Sequence, residues 1–415
     1  MALFSRRSRH VKNVILETER RASELKAKGM RVVKLNRGDP PHYFPTPKYI
    51  IDAYVDALRS GKTTYSRASG EKELKDAILS RYKYMYDVDA AEESVIVTAG
   101  VSEALLFLNN MLIDHGDRAV FFRPYYAQYS PRIRVEGGSV IEGAYDFDSG
   151  WSLNLESLEK KLKRARKGIK YMLLTNPNNP TGAVTERKEL ERLVQIANEH
   201  DIILVSDEIY DEIIYNGTEF TSLAQVAKGM PHIILNGISK NYLSTGLRVG
   251  FMLVPGEDKV SARLKQKLEE YALVRLCINT PSQHAAAEAI GNIREHTKAI
   301  NALTREIEKR VNFATDMLMK NPSISVVRPK GSFYIFPKMD FKSLRFGSDK
   351  DFIDTMLEKH GIQLTRGSGF GEPSHFRIVA LPPKETLEYA IGKINDECAS
   401  RQRGGRLYPP ILARK

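Results

Sequence analysis

The sequence predicts an α/β protein, in which helices cover a mostly parallel central sheet in a large domain and a smaller α+β domain follows. Three observations predict this fold class. The chain has 415 residues, 42% of them hydrophobic, which is enough for two closely packed domains. Short, continuously apolar segments alternate with helical patterns, as expected for parallel strands that are buried on both faces. Toward the C-terminus, this alternation gives way to a separate mixture of helices and strands.

The elements of the large domain follow from the periodicity of the apolar residues. A helix is predicted over 48–60, because apolar residues recur at positions 51, 54, 55 and 58. The next segments in chain order are ESVIVTAG (strand), SEALLFLNNML (helix), DRAVFF and KYMLLT (strands), RKELERLVQIANEH (helix), then DIILVSD, HIILNG and RVGFMLV (strands). Helical patterns over 258–276 and 281–320 follow them.

The C-terminal third predicts the smaller domain. The segments SISVVRPKGSFYIFPKM and HFRIVALPP, with a helix between them, are typical of an α+β unit. We therefore divide the chain into four parts: an N-terminal arm that also contributes to the small domain (1–49), the large domain (50–295), the small C-terminal domain (296–400) and a disordered tail (401–415).

Composition limits the possible functions. Lys and Arg number 63 against 51 Asp and Glu, but no dense basic block with interleaved aromatic residues indicates a nucleic-acid partner. No apolar run approaches the roughly 18 residues of a membrane span, so no membrane partner is expected. The only cysteines, Cys277 and Cys398, predict no disulfide framework and a cytoplasmic location. The nine histidines lack metal-ligand spacing, and no metal is expected.

Polar residues gather where four predicted strands end, in TAGVSEA, TNPNNPTG, SDEIYDE and NGISKN. Ligands of open α/β sheets bind at the carboxyl ends of the strands. An amide (Asn179), a carboxylate (Asp207), a phenol (Tyr210), an amine (Lys240) and a guanidinium (Arg248) are therefore expected along one edge. Each alone fits an ordinary turn or helix cap. Together they are the groups of a pyridoxal phosphate (PLP) site: an amine for a Schiff base, a carboxylate for the ring nitrogen and a cation for the phosphate.

The order of the motifs gives a family resemblance over residues 32–399. The motifs are LNRGDP, TYSRASGEKELKDAI, VTAGVSEAL, NPNNPTG, SDEIYDEI, NGISKNYLSTGLRVGF, RLCINTPSQ, KGSFYIFPK and GSGFGEPSHFRIVALPP. Through them the chain resembles the class I aminotransferases, which are fold-type I PLP-dependent transferases, and most closely the alanine aminotransferases. The resemblance implies the two-domain fold of that family, in which the large domain binds PLP.

The resemblance also assigns roles around the cofactor ring. Lys240 is similar to the lysine that forms the Schiff base, and Asp207 to the partner of the ring nitrogen. Tyr210 matches a ligand of the ring oxygen, and Tyr126 holds the position of the aromatic that stacks on the ring. We interpret Tyr129, in the same RPYYAQY segment, as a core aromatic.

The phosphate ligands follow the family pattern with one departure. Arg248 matches the phosphate arginine, and the backbone N–H groups of Val101 and Ser102 fall where the family binds the phosphate. Many relatives have a serine three residues before the lysine, where this chain has Gly237. Ser239 is then a weak substitute for that ligand.

Substrate and partner subunit are implied in the same way. Arg377 resembles the arginine that binds the substrate α-carboxylate, with Gly38 in the loop that closes over it, and Asn179 matches the second ring-oxygen ligand beside the substrate. Tyr65 resembles the tyrosine that reaches the phosphate of the neighbouring subunit, which implies a homodimer with shared active sites. We also consider Arg275 as a second cation for 2-oxoglutarate.

The predicted function is transfer of an amino group between an L-amino acid, with alanine favoured, and 2-oxoglutarate, with Lys240 as general base and acid. Aspartate is the next donor to consider. A PLP-dependent carbon–sulfur β-lyase is a second possible enzyme. An aminotransferase-like transcription regulator would need a helix-turn-helix domain, whereas only about 30 residues precede LNRGDP.

Overall fold

The computed structural model describes residues 4–11, 13–165 and 168–402. The strands are β1 (Val33–Lys34), β2 (Val95–Thr98), β3 (Arg118–Arg123), β4 (Ser139–Asp146), β5 (Ser152–Leu153), β6 (Ile169–Thr175), β7 (Ile203–Asp207), β8 (His232–Gly237), β9 (Gly250–Leu253), β10 (Ile324–Ser325), β11 (Tyr334–Ile335), β12 (Lys338–Met339), β13 (Ile362–Gln363), β14 (Thr365–Arg366) and β15 (Phe376–Val379). The helices are α1 (Glu19–Ala27), α2 (Lys48–Arg59), α3 (Lys72–Tyr86), α4 (Val101–Leu112), α5 (Tyr129–Val135), α6 (Leu155–Arg164), α7 (Arg187–Glu199), α8 (Leu223–Val226), α9 (Lys259–Arg275), α10 (Thr280–Gly291), α11 (Ile293–Met319), α12 (Asp349–His360) and α13 (Lys384–Gln402).

The last helix overlaps the tail that was predicted over 401–415. Its final residues are Arg401 and Gln402, so helix α13 extends slightly beyond the predicted boundary. The rest of the predicted tail, 403–415, lies outside the described residues. Within the part of the chain that the structure describes, none of the helices combines the length and the apolar character needed to cross a membrane.

An eight-stranded sheet forms the centre of the large domain. Its strand order is β2-β9-β8-β7-β6-β3-β4-β5. The pairs from β8 through β7, β6 and β3 to β4 are parallel. Strand β9 runs antiparallel to both of its neighbours, and β5 runs antiparallel to β4. The mostly parallel sheet predicted from the sequence is confirmed, and the carboxyl ends of β6, β7 and β8 therefore lie at one edge.

Several elements of the large domain, among them β4 and α3, have no counterpart in the sequence prediction. Strand β4 is only partly buried, because β5 alone lies beyond it in the sheet, and it lacks a continuous apolar run. Helix α3 buries the charged side chains of Lys75 and Arg81, which breaks its apolar period. Arg81 donates to the carboxylates of Asp211 and Glu212, both at 2.8 Å. These partners, which are far away in the sequence, stabilise a helix that the local apolar periodicity does not predict.

The helical pattern predicted over 281–320 is two helices rather than one. Helix α10 ends at Gly291 and α11 begins at Ile293. The side chain of Asn292, between them, accepts a hydrogen bond from the backbone N–H of Glu295 at 3.3 Å. Asparagine is a favoured N-cap because its side chain satisfies an otherwise unpaired N–H group, and this cap starts the second helix.

The small domain combines a segment of the N-terminal arm with the C-terminal part of the described chain. Strand β1 pairs in parallel with β13, and β11, β15 and β14 form an antiparallel sheet. One hydrophobic cluster joins Val33 and Leu35 of the N-terminal arm to residues of α11, α12 and α13. The boundary at residue 295 stays a prediction, because His296 of α11 still contacts the carboxylate of Glu212, at 2.8 Å, in the large domain.

Candidate active site

A cleft of about 610 Å³ lies at the carboxyl edge of the parallel strands. It brings together most of the residues selected from the sequence. These are Gly38, Val101, Ser102, Tyr126, Asn179, Asp207, Tyr210, Ser239, Lys240, Arg248 and Arg377. Sequence reasoning missed several other lining residues, among them Ile15, Leu16 and Arg37 of the N-terminal arm, because the arm reaches the cleft only in the folded chain.

Lys240 follows strand β8 and places its amine in the cleft. Its Nζ donates a hydrogen bond to the backbone oxygen of Gly38 at 2.7 Å. Burial lowers the pKa of Lys240 to about 8, with the opposing charge of Asp39 and the smaller lowering effects of Arg248 and Arg377 included in that value. A larger fraction of the amine is therefore neutral near physiological pH, which is the form that can act as nucleophile or base.

Asp207 is the last residue of β7, and its carboxylate is buried. Burial raises its pKa to about 6, whereas the Tyr129 hydroxyl, the Ile209 N–H and the Lys240 charge act in the opposite direction. The Tyr129 hydroxyl donates to Oδ2 of Asp207 at 2.7 Å and also lies 2.7 Å from the Thr175 hydroxyl. The interpretation of Tyr129 as a core aromatic is confirmed, since its ring is buried in a hydrophobic cluster. Its hydroxyl has a further role that the sequence did not indicate, because it holds this carboxylate in place.

Two further tyrosines shape the cleft beside Asp207. The hydroxyls of Tyr210 and Tyr334 lie 3.0 Å apart, and sequence reasoning missed Tyr334 although it belongs to the motif KGSFYIFPK. A side chain at Gly38 would collide with the Tyr334 hydroxyl and with Phe333, so glycine lets this loop reach the cleft. Tyr126 also lines the cleft, and burial raises its pKa.

The part of the cleft at the start of helix α4 is suited to an anion. Helix α4 begins at Val101, and its N-cap, Gly100, supplies no side-chain hydrogen bond to the first turn. The N–H groups at Val101 and Ser102 are therefore available to a ligand. Arg248 donates to the backbone oxygens of Thr245 at 2.9 Å and Ala99 at 3.2 Å, and none of the ion pairs between described residues involves it.

Close backbone packing explains the glycine that departs from the family pattern. A Cβ atom at Gly237 would lie 2.6 Å from the Val249 oxygen and 2.7 Å from Cα of Gly250. Serine at this position is therefore excluded by the approach of β8 to β9. The hydroxyl of Ser239 lies 3.5 Å from Nη1 of Arg248, at the limit of a hydrogen bond.

Arg377 is a buried cation without a carboxylate partner among the described residues. It donates to the side-chain oxygen of Asn179 at 2.9 Å and to the backbone oxygen of Asn36. The rings of Tyr334 and Phe370 lie 4.5 and 4.8 Å from its guanidinium carbon. Its Nε has no hydrogen-bond partner, and burial lowers its pKa. A buried guanidinium with a free donor favours an anionic ligand such as a carboxylate.

Two predicted residues lie away from this cleft. Arg275 donates to the backbone oxygens of Ala68 at 2.9 Å and Val97 at 3.2 Å, and it pairs with Glu103 at 3.3 Å. Both hydrogen bonds come from Nη2, and Arg275 is not among the residues that line the cleft, so the structure of one chain does not support it as a substrate ligand. Tyr65 is 82% exposed and is not among the residues that line the cleft.

A second groove, of about 1020 Å³, lies in a different part of the molecule. Phe147 of the large domain and Lys338 and Asp340 of the small domain are among its lining residues. It contains none of the residues selected from the sequence. Among the residues that the structure describes, no three His, Cys, Asp or Glu side chains are grouped as metal ligands would be.

The donor set of the cleft fits PLP. The uncapped start of α4 and Arg248 suit a phosphate, and the buried carboxylate of Asp207 suits a protonated ring nitrogen. Tyr126 offers an aromatic surface, and Lys240 offers an amine of lowered pKa. One ligand with a phosphate group and an aromatic ring nitrogen would engage all of these groups.

Comparison with known proteins agrees with this chemistry. The model of the family "Aminotransferase class I and II" matches residues 30–394. The chain is 33% identical over 378 residues to the glutamate-pyruvate aminotransferase AlaA of Haemophilus influenzae, covering 90% of this chain and 92% of that protein. The structure of alanine aminotransferase from Pyrococcus furiosus is similar with a TM-score of 0.90 and 34% identity, over 96% of this chain and all of that one. The aspartate aminotransferase of Thermus thermophilus, solved with maleate, is similar with a TM-score of 0.87 and 28% identity, over 96% of this chain and 100% of that one.

Proposed function

The chain belongs to the class I and II aminotransferases and is a PLP-dependent enzyme, and from this premise we propose that it transfers the amino group between L-alanine and 2-oxoglutarate. The observation that carries the proposal is the buried guanidinium of Arg377, which has a free Nε donor and shares one cleft with the Lys240 amine. Arg377 would bind the α-carboxylate of any amino acid. Alanine is favoured because two similar proteins bear the names glutamate-pyruvate and alanine aminotransferase.

We propose that the cofactor is held at both of its charged ends. Arg248 and the N–H groups of Val101 and Ser102 would bind the phosphate, and Ser239 would add a weak contact. Asp207 would keep a proton on the ring nitrogen, with its carboxylate oriented by the Tyr129 hydroxyl at 2.7 Å. When bound, PLP supplies an electron-accepting ring that stabilises negative charge at the substrate Cα.

The residues of the chain then perform the proton transfers. Lys240 Nζ would take the proton from the substrate Cα and then deliver it to the cofactor. Its lowered pKa suits both the base and the acid role. Arg377 would fix the α-carboxylate, and Asn179, which accepts from Arg377 at 2.9 Å, would hold that guanidinium in place. Tyr210 would donate to the oxygen of the cofactor ring.

An assay of both substrates tests this proposal. The purified enzyme with PLP is expected to form pyruvate and glutamate from L-alanine and 2-oxoglutarate. When 2-oxoglutarate is omitted, alanine should yield at most one equivalent of pyruvate per active site. Transfer from aspartate but not from alanine would overturn the donor assignment. Continuous pyruvate release from cystine without an oxo-acid acceptor would favour the β-lyase instead.

We also propose that two chains share their active sites. Tyr65 is 82% exposed, and Leu273 and Val274, in the segment that leads to Arg275, are 60% and 88% exposed. Arg275 joins the two segments, because its Nη2 donates to the backbone oxygen of Ala68 at 2.9 Å. The hydroxyl of Thr280 donates to the backbone oxygen of Thr64 at 2.8 Å, which ties the two segments into one surface. An exposed apolar patch of this kind is typical of an interface, and a two-fold dimer would bring Tyr65 toward the partner site.

Subunit complementation is the measurement for the shared site. Lys240→Ala and Tyr65→Ala chains, each of low activity alone, are expected to regain activity when they are mixed under exchange conditions. In the mixed dimer, one site would combine the intact Lys240 of one chain with the intact Tyr65 of the other. If Tyr65 served its own chain, every site would keep one defect, and mixing would restore nothing.

A further inference from the structure

We infer that Arg37 is the second cation of the active site and binds the distal carboxylate of a dicarboxylic substrate such as 2-oxoglutarate or glutamate. This inference rests on the proposed function and assigns one residue of its specificity. A dicarboxylate requires two cationic contacts in the cleft, and Arg377 accounts for the α-carboxylate only. Arg275, the candidate from the sequence, is held outside the cleft by Glu103 and backbone oxygens.

The cations that line the cleft differ in how they are engaged. They are Arg37, Lys240, Arg248 and Arg377. Lys240, Arg248 and Arg377 each donate at least one side-chain hydrogen bond to the protein. Among the described residues, the side chain of Arg37 has one partner: its Nη2 lies 3.8 Å from Oδ2 of Asp39, and the side chain is 64% exposed. An exposed pair of this length contributes about 0–1 kcal/mol, so a ligand carboxylate can displace it.

The place of Arg37 in the chain brings it beside the reacting groups. The backbone oxygen of Asn36, the preceding residue, accepts a hydrogen bond from Arg377. The backbone oxygen of Gly38, the following residue, accepts from Lys240 Nζ at 2.7 Å. Arg37 therefore lies between the two residues whose backbone oxygens contact Arg377, the proposed ligand of the α-carboxylate, and Lys240, the proposed base. Its charge also acts on the Lys240 amine.

Asp39 does not have to remain unpaired when Arg37 turns to a ligand. Oδ1 of Asp39 accepts a hydrogen bond from the Thr245 hydroxyl at 2.6 Å, on the other oxygen from the one that faces Arg37. The carboxylate keeps this partner in either arrangement. The cleft can thus accept an anionic side chain, and for a substrate without one, such as alanine or pyruvate, the Arg37–Asp39 pair stays closed.

Separate half-reactions test this inference. In Arg37→Ala, kcat/KM for 2-oxoglutarate and glutamate is expected to fall about 10- to 100-fold, whereas kcat/KM for alanine and pyruvate stays within about twofold. Arg37→Lys should lie between the wild type and Arg37→Ala, because a point charge replaces the planar fork. Arg20→Ala is the matched control, since Arg20 is a 93% exposed arginine of the same arm and does not line the cleft.

Binding of unreactive ligands gives a second readout. The dissociation constant of glutarate, measured by calorimetry, should rise at least tenfold in Arg37→Ala, and that of butyrate should not change. Equal losses for dicarboxylic and monocarboxylic ligands, or no loss for either, would overturn the inference. Failure of the proposed function would look different, because the wild type itself would then transfer no amino group from alanine.

Discussion

Replacing Lys240 by alanine lowers kcat for transamination by at least about 10³-fold, because the variant lacks the amine that we propose as the carrier of the substrate Cα proton. A guanidinium such as that of Arg377 does not lose its proton in proteins, and Asp207 is committed to its hydrogen bond with Tyr129. Initial rates of pyruvate formation from L-alanine and 2-oxoglutarate measure the effect. Retention of more than about a tenth of the wild-type rate would contradict the assignment of Lys240.

Two controls separate the proton transfer from the binding role of Lys240. A small primary amine added to Lys240→Ala should restore part of the rate, since it supplies the missing base, whereas it should not affect the wild type. The pH dependence gives the second control. Uptake of PLP by the wild-type apoenzyme should accelerate as pH rises through about 8, the pKa at which the buried amine becomes neutral, and this dependence should vanish in the variant.

Replacing Asp207 by asparagine lowers kcat by about 10²- to 10³-fold, the range found when a preorganised charged or polar group is removed from a transition state. The amide preserves the size of the side chain but can no longer keep a proton on the ring nitrogen. The loss should therefore appear mainly in kcat, and the KM for alanine should change little, because Arg377 binds the carboxylate. Steady-state kinetics with both substrates varied measure this distribution.

The matched control for Asp207 is Tyr129→Phe. This change removes only the hydroxyl that donates to Oδ2 of Asp207 at 2.7 Å, so the carboxylate remains but loses one partner. A hydrogen bond to a charged group contributes about 1.5–3 kcal/mol in general, and part of it should be recovered from Thr175 or water, so we expect about a 3- to 30-fold loss in kcat. If Tyr129→Phe were as damaging as Asp207→Asn, the effect would reflect packing around β7 rather than the charge of the carboxylate.

The fold and the position of the cleft could be predicted because both depend on local signals. The strands that precede Asn179, Asp207 and Lys240 are short apolar runs, and their order requires parallel pairing. Once the strands are parallel, their carboxyl ends share one edge, so residues far apart in sequence are expected together. Helix α3 could not be predicted in this way, because buried Lys75 and Arg81 interrupt the period of its apolar residues.

Within the cleft, the sequence could select residues but not their partners. It indicated Arg377 through a motif, yet the uncompensated burial of that guanidinium is visible only in the folded chain. It assigned Tyr129 to the core, because nothing in RPYYAQY indicates that one hydroxyl reaches Asp207. It considered Arg275 because it follows the lysine segment, whereas Arg37 lines the cleft and Arg275 does not.

The sequence by itself determined the alternation of strands and helices, the residues at the strand ends and hence the class of chemistry, because these depend on spacing along the chain. Only the tertiary structure decided which hydroxyl supports Asp207, which glycine is required between β8 and β9, and which arginine is free to meet a second carboxylate. Those features depend on distances between segments far apart in the chain. Such distances are fixed by the packing of the whole protein and leave no local pattern in the sequence.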